Sequence, residues 1–321
     1  QTGRALTVVA EKCIAVAVEQ AAKEVEAKHG RFPDARFCVV ALGRLGSREM
    51  TAGSDVDLIV LYDGVDALDE SDGPKPMAAA PYFARMTQRL IAALSAPTAE
   101  GVLYEVDMRL RPSGNKGPLA TSLGAFERYQ REEAWTWEHQ ALTRARPICG
   151  DGALMTAARA VIDNVLSAHR DIAKTRNDVL AMRARLLREK PARGDFDLKN
   201  MDGGLTDLDF LSQFIFLTTL QKLKLDGASA RDTLELLGDE VFGADVSAKL
   251  IAAHHDFSTV LHLSRLCTSH GHDPAQLPSG LVEIIAQALN EPSLAHVQDR
   301  LKSHRQLVAD MFRGHVGELT G

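Results

Sequence analysis

Apolar residues near the start of the chain recur at helical spacing: Leu6, Val9, Cys13, Val16 and Ala17. The run closes on Gly30 with Pro33 just beyond, so the pattern predicts a helix over 3–29 with its stop signals in place. "RFCVVALG", 36–43, is a short apolar run closed by glycine and reads as a buried strand. A turn containing Gly and Ser follows over 43–54, then "AGSDVDLIVLYD" (52–63), a second strand. The acidic, Gly- and Pro-rich stretch 64–76 reads as an exposed loop. A helix from about Tyr82 to Leu94 leads to a third strand, "GVLYEVDMRLRP" (101–112), the loop "SGNKGP", and after Ser122 a long helical segment containing Trp135 and Trp137. From Gly150 onward the spacing is helical, broken at 190–204 and 268–280. The expectation is an α+β chain, with a small mixed-sheet domain over 1–150 and an all-helical bundle over 151–321.

Strand side chains alternate between faces, so Asp55 and Asp57 project together. On 101–112 the same arithmetic puts Glu105, Asp107, Arg109 and Arg111 on one face and Tyr104, Val106, Met108 and Leu110 on the other. A row of charges beside a packed face is costly without partners or a ligand. If the two strands are neighbours, Asp55, Asp57 and Asp107 converge. Three such oxygen donors suit magnesium, and the arginines suit a phosphate chain. Two similar pairs lack that context. Asp195 and Asp197 sit in a Gly/Lys loop, and Asp207 and Asp209 open a helical run, where acids favour the dipole. The turn before the carboxylate strand supplies Gly43, Gly46, Ser47 and Gly53, and a helix starting near Ser47 would offer N–H groups to a phosphate.

The 321 residues are 45% hydrophobic and 25% charged, enough for two domains, and the net charge of −6 disfavours a nucleic-acid partner. Cys13, Cys38, Cys149 and Cys267 form no CxxC pair and read as buried thiols of a reducing compartment. Arg4, Glu11 and Lys12 interrupt the apolar N-terminus, so it does not read as a signal peptide. No stretch approaches the ~20 apolar residues of a membrane helix, and a cytoplasmic protein without membrane contact is expected. A start at Gln1, without methionine, suggests a piece of something longer. Trp135 and Trp137 read as core and domain interface rather than a stacking platform. Glu138, His139, Arg144 and Arg146 read as a salt-bridged helix face. The spacing of His254, His255, His262, His270 and His272 with Cys267 fits no zinc pattern.

"ALGRLGSREMTAGSDVDLIVLYD", "LYEVDMRLRPSGNKGPLATS", "AWTWEHQALTRARPICGD" and "DFDLKNMDGGLTDLDFLSQ" together resemble the glutamine synthetase adenylyltransferase family. That family lies within the polymerase-β-type nucleotidyltransferases, and the blocks span about 36–213. The resemblance implies transfer of AMP from ATP to a tyrosine hydroxyl of glutamine synthetase, with two magnesium (or manganese) ions and control by the nitrogen-regulatory PII protein. It implies that Asp55, Asp57 and Asp107 are the metal-binding and catalytic carboxylates. Gly46 and Ser47 resemble the superfamily's phosphate turn, with Gly43 and Arg44 as rivals. Ser54, Arg109, Arg111 and Lys116 complete the expected nucleotide contacts. Family members hold two such halves, one adenylylating and one removing AMP by phosphorolysis. The single motif here, with "EMTAGSDVDL" and "AWTWEH", resembles the C-terminal, adenylylating half. The rival readings are the deadenylylating half and a non-catalytic nucleotide-sensing or docking module.

Overall fold

The computed structural model describes residues 2–66, 69–219, 226–267 and 277–319. Contacts divide the chain into two units. One runs to Ala168 and is rejoined by Asp226 and Gly227; the other begins at His169 and resumes at Ala228.

The first unit opens with helix α1 (Thr2–His29), whose buried stripe is Gly3, Thr7, Ala10, Ile14, Ala17, Ala21 and Val25. The helix is where the spacing predicts it, but the buried face differs from the apolar one. Val9 and Val16 are more than half exposed, and small residues point inward instead. Short side chains allow close approach to helix α3 (Ala79–Ser95), which packs along α1.

Strands β1 (Arg36–Ala41) and β2 (Val56–Asp63) pair antiparallel, from Arg36 opposite Asp63 to Ala41 opposite Leu58. Both are almost continuously buried in their middle, as central strands covered on both faces must be. The far edge of β1 carries β5 (Arg146–Gly150), antiparallel with a bulge between Val39 and Val40. The far edge of β2 is shared by two short parallel strands, β3 (Val106–Asp107) and β4 (Ala120–Ser122). The result is a mixed five-stranded sheet. Phe83 of α3 stacks on Tyr62 with ring centroids 4.4 Å apart and also lies against Phe32 and Phe37, tying the helix to the sheet.

Several expectations need correction. The third strand is two residues long rather than twelve, because the chain after Asp107 turns into a loop closed by its own carbonyls. Strands β4 and β5 have no counterpart in the patterning reading. The long helix after Ser122 is two helices, α4 (Leu123–Glu132) and α5 (Thr136–Leu142). Glu138 stops the run from continuing by accepting the Trp135 N–H at 2.9 Å, which caps a new helix there. Trp135 is therefore 70% exposed rather than core. Arg146, on β5 rather than on a helix, is buried and bonds the carbonyls of Leu45 and Gly46 and the carboxylate of Glu11. Of the four thiols only Cys38 is buried, and Cys267 is exposed. The short helix α2 (Gly43–Gly46) ends, rather than begins, at Ser47. Helix α6 (Gly152–Leu166), capped by the Asp151 carboxylate on the Leu154 N–H, completes the unit.

Among its described residues the regular elements of the second unit are all helices, α7 (Ile172–Glu189), α8 (Leu205–Thr219), α9 (Ala230–Phe242), α10 (Ala244–Cys267), α11 (Ser279–Ala288) and α12 (Leu294–His315), with a loop over 190–204 between α7 and α8. Its core gathers Leu208, Leu250, Phe257, Val260, Ile285, Val297 and Val308. One member of each discounted aspartate pair, Asp197 and Asp207, serves this unit's architecture. Asp197 is buried and accepts from the Arg193 N–H and from Asn200. Asp207, in the first turn of α8, pairs with the buried Arg183 of α7 and accepts the Gly203 N–H at 2.6 Å. His270 and His272 lie outside the described residues.

Candidate active site

The site is built where β2 begins. Asp55 immediately precedes the strand, Asp57 is its second residue, and the parallel pairing places Asp107 of β3 directly beside Asp57. One carboxylate oxygen from each of Asp55, Asp57 and Asp107 lies within 4.8 Å of the other two. Asp55 is exposed, and Asp57 and Asp107 are half-buried. A set of three hard oxygen donors at this spacing fits a divalent cation of the magnesium or manganese type. Three like charges so close are favourable only with positive charge among them.

Part of that charge is Arg109. Its Nε lies 2.8 Å from Asp107 Oδ2, and its N–H donates to Oδ1 at 2.8 Å. Burial opposes ionisation of Asp107, but the Arg109 hydrogen bonds and the charges of Arg109 and Arg111 outweigh it and hold its carboxyl below the usual range.

The glycine turn meets the carboxylates at Gly43. Its φ is +53°, and a Cβ built there would stand 2.0 Å from Asp57 Oδ2, so only glycine leaves that carboxylate where it is. Gly46 is buried for a different reason: its missing Cβ makes room for the Arg144 carbonyl. Arg44 is half-buried on α2, and its carbonyl accepts the Glu49 N–H. The Ser47 hydroxyl lies 2.9 Å from Glu49 Oε2 and 3.2 Å from the Gly43 carbonyl. Ser54 is buried and ties the turn by accepting the Thr51 N–H at 3.0 Å.

Downstream of Asp107 the chain folds into a tight loop. Arg111 is buried within it, donating to the carbonyls of Met108 at 2.8 Å and Gly117 at 3.4 Å. Ser113 takes a left-handed conformation, and Lys116 is exposed on the 3₁₀ turn Gly114–Lys116. Arg109 and Lys116 are thus the exposed cations of this segment, whereas Arg111 shapes it. Strand alternation does not reveal this role, because the strand stops at Asp107 and the period of two does not continue into the loop. The glycine at 117, whose Cβ would meet the Pro112 carbonyl at 1.9 Å, is the signal that marks the turn.

A family profile described as glutamate–ammonia ligase adenylyltransferase matches residues 1–161 of the chain. The chain belongs to this family. A curated relative from Rhizobium meliloti (strain 1021) is 47% identical over 98% of the chain, which spans 32% of that protein. Relatives from Agrobacterium fabrum (46% identical over 96% of the chain) and Brucella suis biovar 1 (45% over 99%) are matched over the same 32% share of their lengths. All three are named bifunctional glutamine synthetase adenylyltransferase/adenylyl-removing enzyme. The chain thus spans about a third of the length of these relatives. Among the described residues no helix is long and apolar enough to cross a membrane.

Proposed function

We propose that this chain is an adenylyltransferase centre that moves AMP from ATP to a tyrosine hydroxyl of glutamine synthetase and releases pyrophosphate. The phenolic oxygen forms a bond to the α-phosphorus, the bond to the pyrophosphate oxygen breaks, and the phenolic proton leaves to solvent. Asp55, Asp57 and Asp107 would hold two divalent cations, which when bound supply Lewis acidity at the attacking and leaving oxygens. The remaining work falls to side chains and backbone. Gly43, having no side chain, keeps the approach to Asp57 open. Arg109 and Lys116 offer positive charge to the phosphate chain, while Arg111 holds the loop that presents both. Ser54 fixes the turn that leads into Asp55.

The observation that carries this reading is the carboxylate triad, assembled from two strands that pair in the register needed to bring Asp57 and Asp107 side by side. The motifs "EMTAGSDVDL" and "AWTWEH" support the adenylylating direction. The relatives' names join both directions in one protein. Control by PII, and a cytoplasmic setting, belong to the same proposal. The test is incorporation of label from α-labelled ATP into unmodified glutamine synthetase, comparing the chain with Asp55→Ala. Label on the target with the parent and none with the variant is expected. ADP formed from adenylylated glutamine synthetase and phosphate, with no label transferred from ATP, would replace this reading with the deadenylylating one. Equal behaviour of parent and variant in both assays would favour a non-catalytic module.

A further inference from the structure

Both carboxylate oxygens of Asp107 are engaged by the residue two positions on. Arg109 Nε lies 3.0 Å from Oδ1 and 2.8 Å from Oδ2, Nη2 also donates to Oδ2, and the Arg109 N–H donates to Oδ1. The Arg109 side chain is 71% exposed and that of Asp107 only 15%. Asp57 and Asp55 act on the guanidinium as well, so one monovalent cation stands in the field of all three carboxylates.

This arrangement sets two cations against each other. A guanidinium fork uses the in-plane lone pairs of a carboxylate. A hard divalent ion needs a lone pair of the same group at roughly 2.1 Å, and its charge repels the guanidinium. The packing makes Arg109 the partner that can leave. Its stem is mostly in solvent, so swinging outward breaks little packing. The backbone N–H of Arg109 stays on Oδ1 and keeps the carboxylate aimed after the side chain departs. Arg111 cannot take its place, being buried and bonded to the Met108 and Gly117 carbonyls.

We infer that Arg109 is a built-in counter-ion of the carboxylate cluster, which yields Asp107 as a divalent cation enters and thereby becomes available to the anionic substrate. Metal loading and the supply of a phosphate-binding cation are then one coupled event. The inference rests on the metal reading above and extends it.

The experiment is Mn²⁺ titration without nucleotide, followed by the electron paramagnetic resonance signal of the unbound ion. The proteins are the parent, Arg109→Gln, Asp107→Asn, the double variant and Asp55→Asn. Arg109→Gln is expected to tighten Mn²⁺ about two- to fivefold, the scale of losing one partly exposed ion pair. In the Asp107→Asn background the same change should have no effect. AMP transfer by Arg109→Gln should fall at least about tenfold, opposite in sign to the gain in metal affinity. Arg109→Lys, which keeps the charge without the fork, should tighten Mn²⁺ less than the glutamine variant. Unchanged or weaker Mn²⁺ binding in Arg109→Gln, with Asp55→Asn still weakened, overturns the counter-ion role and leaves the metal site standing. Mn²⁺ binding indifferent to both Asp55→Asn and Asp107→Asn overturns the site itself, and the inference with it.

Discussion

Gly43→Ala separates backbone strain from damage to the site, because Gly53 provides a matched control. Both glycines have positive φ, +53° and +65°. An alanine forced into the left-handed region costs roughly 1–2 kcal/mol, so both variants should lose about that much stability. Their surroundings differ completely. The new Cβ at position 53 meets nothing within 4 Å, whereas at 43 it would lie 2.0 Å from Asp57 Oδ2. Real Cβ contacts are essentially never under 3.0 Å, so the Asp57 carboxylate must retreat by about 1 Å or more. A side chain can do that at small cost in stability, but a displacement of ~1 Å at a reacting centre can cost about 100-fold in rate. The expected outcome is two folded proteins with similar melting temperatures. Gly53→Ala should keep Mn²⁺ binding and AMP transfer near parental levels, and Gly43→Ala should lose transfer by about 100-fold and bind Mn²⁺ more weakly. Equal activity of the two variants, whether both retained or both lost, would refute the argument that Gly43 exists to accommodate Asp57.

The buried pair Arg183–Asp207, with both side chains 1% exposed, should make Asp207→Ala cost about 3–5 kcal/mol in urea unfolding followed by circular dichroism, because a guanidinium is left unpaired in the core. Replacing both partners by Met and Leu should recover most of that loss; a loss below about 1 kcal/mol in the single variant would contradict the desolvation argument. Asp256 should contribute an acid limb to stability. Its burial disfavours the charge, but hydrogen bonds from His304 and Arg300 outweigh that and lower its pKa. A lowered folded-state pKa stabilises fully above the unfolded value near ~4 and is lost as pH falls through the folded one, so Asp256→Asn should flatten the stability profile below about pH 4. Burial, reinforced by neighbouring Cys149 and Asp151, pushes the Cys38 thiol up to about 12, and partial burial with the Glu11 charge does the same for the half-buried Cys149. At pH 8 iodoacetamide should therefore label the exposed Cys267 and leave Cys38 and Cys149 untouched by mass spectrometry, while rapid labelling of Cys38 would contradict its burial.

What the sequence determined by itself is local and periodic. The first helix ends at Gly30, β1 and β2 are apolar runs bounded by glycine, and the Asp55–Asp57 spacing needs only strand alternation to be read. Asp195, Asp197, Asp207 and Asp209 could be set aside for the same reason, since their context is loop and helix. Tertiary structure decided what depends on partners. The buried face of α1 is its small-residue stripe rather than the line through Val9 and Val16, because close packing of another helix, not hydrophobicity alone, selects which side turns inward. Strands of two or three residues, such as β3 and β4, have no period long enough to detect and exist only because β2 offers them an edge. Arg111 and Arg109 share a face only in an extended strand. Once the chain turns after Asp107, one guanidinium is buried on its own loop and the other lies across the carboxylate. The meeting of Asp57 with Asp107 is a matter of register between segments fifty residues apart, and only the folded sheet sets it.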